Sequence, residues 1–202
     1  MSVKTSNSGG DFEKAPEGMH IARCVRLIDC GTHLDEKWGK KKRIGWLFFE
    51  LPNALMKPNK DGKELPFMVG KRYTLSHNEK ALLRQDLESW YGKNFNTVDL
   101  DNAGGFDLDK VVGRPAMVNI VYSDDGKYAN IKSINPLLQG TECPAQVNPS
   151  FIFSIEEASD AEKFEQLSPK MKEFIQQAEE LKPKTNSVKT PVGGDFDDDI
   201  PF

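Results

Sequence analysis

The sequence predicts a mainly β domain with helices, closed as a five-stranded Greek-key barrel and followed by a C-terminal helix and a disordered acidic tail. Three observations predict it. Five short segments between His20 and Asn135 mix apolar and polar residues at strand spacing, with turn formers between them. One segment, between the third and fourth of these, repeats its apolar residues at helical spacing. After Pro136 the composition turns acidic.

Residues 1–17 read as a flexible arm of Ser, Asn and Gly without periodicity. The first strand covers 20–27, with Ile21, Cys24, Val25 and Leu27 as its apolar members. A polar, lysine-rich loop over 31–42 leads to the second strand at 43–51. Pro58, Asn59, Asp61 and Gly62 mark 52–66 as a long polar connection. In the third strand, 67–76, Phe67, Val69, Tyr73 and Leu75 share one parity, with Lys71 between them. Ser76-His77-Asn78-Glu79 has the form of a capping box, in which Ser76 and Glu79 satisfy free N–H groups at a helix start. Leu82, Leu83, Leu87 and Trp90 then recur at helical spacing, and Gly92 supplies the stop. A looser segment at 99–105 and a short helical turn at 106–112 follow. Strands at 114–122 and 127–135 close the body, joined by the hairpin turn Asp124-Asp125-Gly126.

Strand, strand, strand, helix, strand, strand is the order of the OB-fold, a small Greek-key barrel with its helix between strands three and four. Residues 18–136 are therefore expected to form an OB-fold domain. Residues 137–182 form an acidic extension with a helix over 168–181, whose Ser168-Pro169 start places Pro in the first turn. That helix packs on the barrel or on a second copy, so a homo-oligomer is compatible with the sequence. Residues 183–194, of Pro, Lys, Thr, Ser and Gly, read as a linker. Residues 195–202 form a separate tip.

Charge bears on the class of ligand. The net charge of −4 argues against a polyanion until its distribution is considered. Residues 18–136 hold 19 Lys and Arg against 15 Asp and Glu, whereas 137–202 hold 6 against 13. A basic body with an acidic tail suits a polyanion-binding domain. No apolar run approaches the roughly 20 residues that span a bilayer. The polar residues 1–10 lack the apolar core of a secretion signal. The three cysteines, an odd number, fit free thiols in a reducing compartment. A cytoplasmic protein is the expectation.

The tip reads Asp195-Phe196-Asp197-Asp198-Asp199-Ile200-Pro201-Phe202. Its aspartates and terminal carboxylate supply a long-range field toward basic patches. Ile200, Pro201 and Phe202 supply a compact apolar anchor, and Pro201 lowers the ordering cost on binding. Apolar groups clustered in a solvated segment suggest burial on a partner. This octapeptide resembles the characteristic tip of bacterial single-stranded DNA-binding proteins. The resemblance implies an OB-fold that binds single-stranded DNA and a tip that recruits replication, recombination and repair proteins. The body departs from that family, lacking its usual opening strand and the glycine-rich pattern after it, so neither its tetramer nor its DNA contacts are carried over. Instead, Lys71-Arg72-Tyr73-Thr74-Leu75-Ser76 through Leu83-Arg84-Gln85-Asp86-Leu87-Glu88-Ser89-Trp90 resembles proteins encoded by phages and mobile elements.

Sequence-tolerant binding of single strands needs a basic groove and exposed aromatic rings. Trp38, Lys40, Lys41, Lys42 and Arg43 offer both in the first barrel loop, a usual ligand-binding loop. Trp46 and Phe48 share a face with Ile44, so at least one belongs to the core; Trp46 is counted as a candidate contact. Arg72 alternates with Tyr73, which puts one of them toward the groove; Arg72 is favoured over Lys71 and Tyr73. Tyr122, Lys127, Tyr128 and Lys132 flank or follow the second usual loop. His20, Cys24, Cys30 and His33 have ligand chemistry but not a standard zinc spacing, and Cys24 reads as a small core residue. Asp99, Asp101, Asp107 and Asp109 lie in a turn-rich segment and read as a solvated loop rather than a metal site. No phosphate loop, triad or paired-carboxylate motif is present, so neither an enzyme nor a cofactor is expected. The competing class is an interaction adaptor, or an annealing or recombination mediator, that uses the tip to capture host partners.

Overall fold

One long strand organises the protein, of which a computed structural model describes residues 13–182. Residues 1–12 and 183–202, the predicted linker and tip among them, lie outside the described residues. β1 (Gly18–Asp35) pairs through its first residues with β4 (Pro115–Tyr122) and from Arg23 onward with β2 (Lys40–Leu55), both antiparallel. Register shifts between Cys24 and Arg26 and between Asp29 and Thr32 mark irregularities that bend and twist such a strand. Where β4 leaves β1, the short β6 (Phe151–Phe153) takes its place, parallel, along Arg26–Ile28. β3 (Pro66–Thr74) pairs with β2, and β5 (Ala129–Asn135) with β4, so the order is β3-β2-β1-β4-β5. The two outer strands approach each other where Lys71 Nζ donates to the Lys132 carbonyl at 3.3 Å.

Alternation decides which side chains enter the core. Leu47, Phe49 and Leu51 of β2, with Phe67, Val69 and Tyr73 of β3, face inward with Val118 and Ile120 of β4 and Ile131 and Ile134 of β5. α1 (Leu82–Tyr91) packs Leu83, Leu87 and Trp90 against this core, and Trp90 Nε1 donates to the Pro115 carbonyl at 2.8 Å.

Local chemistry corrects several expected boundaries. The lysine-rich loop expected over 31–42 shrinks to the turn after Asp35, because the β1–β2 ladder continues through Asp35↔Lys40. The capping box at Ser76 does not form. Ser76 Oγ and Asn78 Oδ1 accept from the N–H groups of Asn78 and Lys80 in a turn, and the helix starts uncapped after Ala81. A box does form at Ser154 and Glu157. The segment read as loose holds α2 (Thr97–Asn102), whose N-cap Asn96 accepts from Val98 and Asp99.

The acidic extension is built into the body. It supplies β6, α3 (Ala161–Glu165) and α4 (Pro169–Gln176). The helix expected over 168–181 thus ends early and is followed by a separate turn, Glu179–Leu181. Phe153, Ile155, Leu167, Ile175 and Ala178 form a second core with Ile28, Cys30 and Ile44 on the outer side of the sheet. Gly31 permits this docking. Its φ is +78°, and a Cβ there would lie 2.8 Å from the Ala178 Cβ. Buried Asp29 ties the parts together, accepting from Arg43, the Gly31 N–H and the Ile155 N–H. No helix among the described residues is long and apolar enough to cross a membrane.

Candidate nucleic-acid interface

The even-numbered residues of β2 face away from the first core. Lys40, Lys42, Ile44, Trp46 and Phe48 therefore share the outer face, and only Ile44 is fully buried. Across the ladder, Trp46 stands opposite Arg72 and Phe48 opposite Gly70. The two rings lie 5.8 Å apart, centroid to centroid, within 19° of parallel. A Cβ on Gly70 would come 2.7 Å from Phe48 Cε1 and 3.2 Å from Trp46 Cε3, so both rings lie over the glycine backbone. The result is a half-buried aromatic shelf whose shape depends on a missing side chain.

Two grooves open on this shelf, and another joins them at Arg72. One of about 740 Å³ runs from Trp46 and Gly70 to Lys127 and Tyr128 on the β4–β5 hairpin, with Lys14 at its side. A wider one of about 1040 Å³ is edged by Lys40, Lys42, Arg72 and Lys80. The third, about 340 Å³, separates Trp46, Phe48 and Arg72 from Lys170, Met171 and Phe174 of α4. Trp46 lines the first and third, and Arg72 the second and third. These two cross-strand partners join all three.

The candidates from sequence distribute unevenly over this surface. Trp46, Arg72, Lys40, Lys42, Lys127 and Tyr128 line the joined grooves, with Lys42 paired to Asp35 at 2.6 Å and Lys127 to Asp125 at 3.3 Å. Tyr128 is 66% exposed. Trp38, at the tip of the β1–β2 turn, is 64% exposed with Lys37 Nζ 5.2 Å from its ring centroid. Lys41 and Arg43 have the opposite parity and are engaged, by Glu179 at 2.9 Å and by Asp29 at 2.6 Å. Tyr122 is half-buried, with Lys14 Nζ 4.6 Å from its ring centroid. Lys132 is exposed on β5, and its carbonyl holds Lys71.

Tyr73 and Lys71 are not groove residues. Tyr73 is 3% exposed in the core and donates its hydroxyl to Asp86 at 2.8 Å. The Lys71 side chain, 10% exposed, pairs with the same carboxylate at 2.6 Å. β3 parity points both inward, and a carboxylate from α1 makes the buried ammonium tolerable. The predicted tip, Asp195 to Phe202, lies outside the described residues.

Burial, then the Asp86 charge, pushes the Tyr73 phenol up. The Lys42 hydrogen bond holds the Asp35 carboxyl below its usual range. Lys182 and Lys41 hold Glu179 at about 2. Burial pushes the thiols of Cys24 and Cys30 up to about 12, which leaves them protonated and inert. The other members of the weighed zinc set are occupied locally: His20 Nε2 bonds the Pro16 carbonyl, and His33 stacks on Phe174 at 3.9 Å. Among the described residues, no three His, Cys, Asp or Glu side chains gather as a metal site. Flat rings edged by cations can stack planar aromatic groups and hold anions between them.

Sequence reasoning missed Phe48, Gly70 and the α4 residues as parts of one surface. Phe48 was accessible from its parity with Trp46. Gly70 needed the register, and Phe174 needed the packing of the extension. No family model and no curated protein matches this chain.

Proposed function

We propose that this chain is a non-enzymatic single-stranded DNA-binding protein, whose barrel coats and protects single strands and whose Asp195–Phe202 tip recruits replication, recombination or repair proteins. The observation that carries the reading is the Trp46–Phe48 shelf over Gly70, with Arg72 beside it and Lys40, Lys42 and Lys127 along the joined grooves. Stacking needs only the π-face that every base has, and cations follow the backbone whatever its sequence. Binding is therefore expected to show little sequence preference. The strand order with α1 between β3 and β4 supports an OB barrel. In that fold, the β2–β3 face and the loops around Trp38 and Tyr128 are the usual ligand surface. The octapeptide supports the recruiting role.

Titration of the full chain with oligo-dT at low and high salt tests the proposal. Binding at low salt that weakens steeply as salt rises is expected, with a slope of about −0.7 per phosphate contact. Absence of binding at low salt rejects it. For the tip, Phe202→Ala is expected to abolish capture of repair and replication proteins in a pull-down and leave oligo-dT affinity intact or slightly raised. Unchanged capture would remove the docking role.

A further inference from the structure

We propose that α4 completes the DNA site, forming with Trp46, Phe48 and Arg72 a subsite for one nucleobase of a single strand and the phosphate beside it. This inference rests on the single-stranded DNA reading of the β2–β3 face and adds a wall that the barrel alone lacks. The groove encloses about 340 Å³, at the small end of the roughly 300–1,000 Å³ of small-ligand pockets. Trp46 and Phe48 form its floor, Met171 and Phe174 its wall, and Arg72 and Lys170 its cations. No Asp or Glu lines it. None of the ion pairs among the described residues uses Arg72 or Lys170. Its charge therefore complements an anion. Two nearly parallel rings present a flat face on which a base can stack.

The wall is fixed before a ligand arrives. Phe174 stacks on His33 with centroids 3.9 Å apart and planes within 12°, and the Arg72 guanidinium carbon lies 5.1 Å from its ring centroid. Ile175 and Ala178 are wholly buried, in the docking that Gly31 permits. Beyond α4, Glu180 accepts from the Thr32 N–H at 2.8 Å and its hydroxyl at 2.6 Å. A preformed wall spares the bound base the cost of ordering the protein. The extension then has a reason to be folded onto the barrel: it is part of the binding surface rather than a spacer before the tip.

The test is photo-crosslinking of the full chain to oligo-dT carrying 5-iodo-deoxyuridine, beside oligo-dT titrations of Phe174→Ala, Lys170→Glu and Trp46→Ala. Crosslinks to both the β2 peptide and the α4 peptide are expected. Phe174→Ala, which opens the wall beside the stacked base, should weaken binding by up to the roughly five- to hundredfold that one stacked base contributes. Lys170→Glu should lower affinity and cut the salt slope by at least about 0.7. Should Phe174→Ala fail to fold, the crosslinks and Lys170→Glu decide alone. Crosslinks confined to β2, with Lys170→Glu binding like wild type while Trp46→Ala binds weakly, would overturn the α4 subsite and leave the β2–β3 reading standing. A wild-type chain that ignores oligo-dT at low salt would remove both.

Discussion

Trp46 and Arg72 are direct cross-strand partners on the outer face of β2 and β3, and each lines two of the three joined grooves. One residue away on β3, Lys71 points into the protein and pairs with Asp86. Adjacent cations thus sit on opposite faces of one strand, and they should fail in opposite ways. Arg72→Ala is expected to weaken oligo-dT binding, reduce its salt slope by about 0.7 and cost less than about 1 kcal/mol of stability. Lys71→Ala should cost roughly 3 kcal/mol, because it strands a mostly buried carboxylate. Denaturant melts of both variants beside titrations check the contrast; equal effects on stability would contradict it.

The shelf depends on Gly70. Its φ is not in the left-handed region, so the backbone accepts another residue, but a Cβ there collides with Phe48. Gly70→Val should tilt or displace the two rings and lower oligo-dT affinity by about 1 kcal/mol or more, within the range for one stacked base. Isothermal titration gives the affinity, and a crystal structure of the variant shows the rings.

Ile175, wholly buried in the second core, reports whether the extension is part of the fold. Ile175→Ala should destabilise by roughly 2–5 kcal/mol and speed hydrogen exchange along 151–182. An extension that merely trails from the sheet would show no change in either.

Glu88 supplies a pH dependence. The Phe95 N–H, then Arg84, hold its carboxyl below the ordinary value of 4.5. The folded state therefore binds this proton less readily than the unfolded state. The stabilisation is complete above about pH 4.5 and is lost as pH falls through the lower folded-state value. Glu88→Gln should melt below wild type at neutral pH, with the gap closing in acid. Melting curves across that range check it; a gap independent of pH would assign the effect to shape alone.

Much of this was legible in alternation. The inward set of β2, Leu47, Phe49 and Leu51, and the outward pair Trp46 and Phe48 follow from period two. Arg72 outward and Tyr73 inward follow from the same rule. Lys71, a candidate contact by its charge, is mostly buried instead; its partner Asp86 comes from α1 and appears only once the helix packs. The helix start was misplaced because Ser76 and Asn78 spend their side chains on a turn before it. The helix of the extension was legible from its periodicity and its Ser168-Pro169 start, whereas β6 and the docking contacts were hidden by the acidic composition. The carboxylates of Glu179 and Glu180 are not free charge: they hold Lys41 and Thr32, and so pin α4 beside the shelf.

The most direct measurement of the central claim is tryptophan emission during an oligo-dT titration, compared among wild type, Trp38→Phe and Trp46→Phe. Trp90 is wholly buried and serves as a constant background. A base stacked on the shelf predicts quenching at low salt that survives in Trp38→Phe and is largely lost in Trp46→Phe. Full quenching retained in Trp46→Phe, or no response in wild type, would contradict the account.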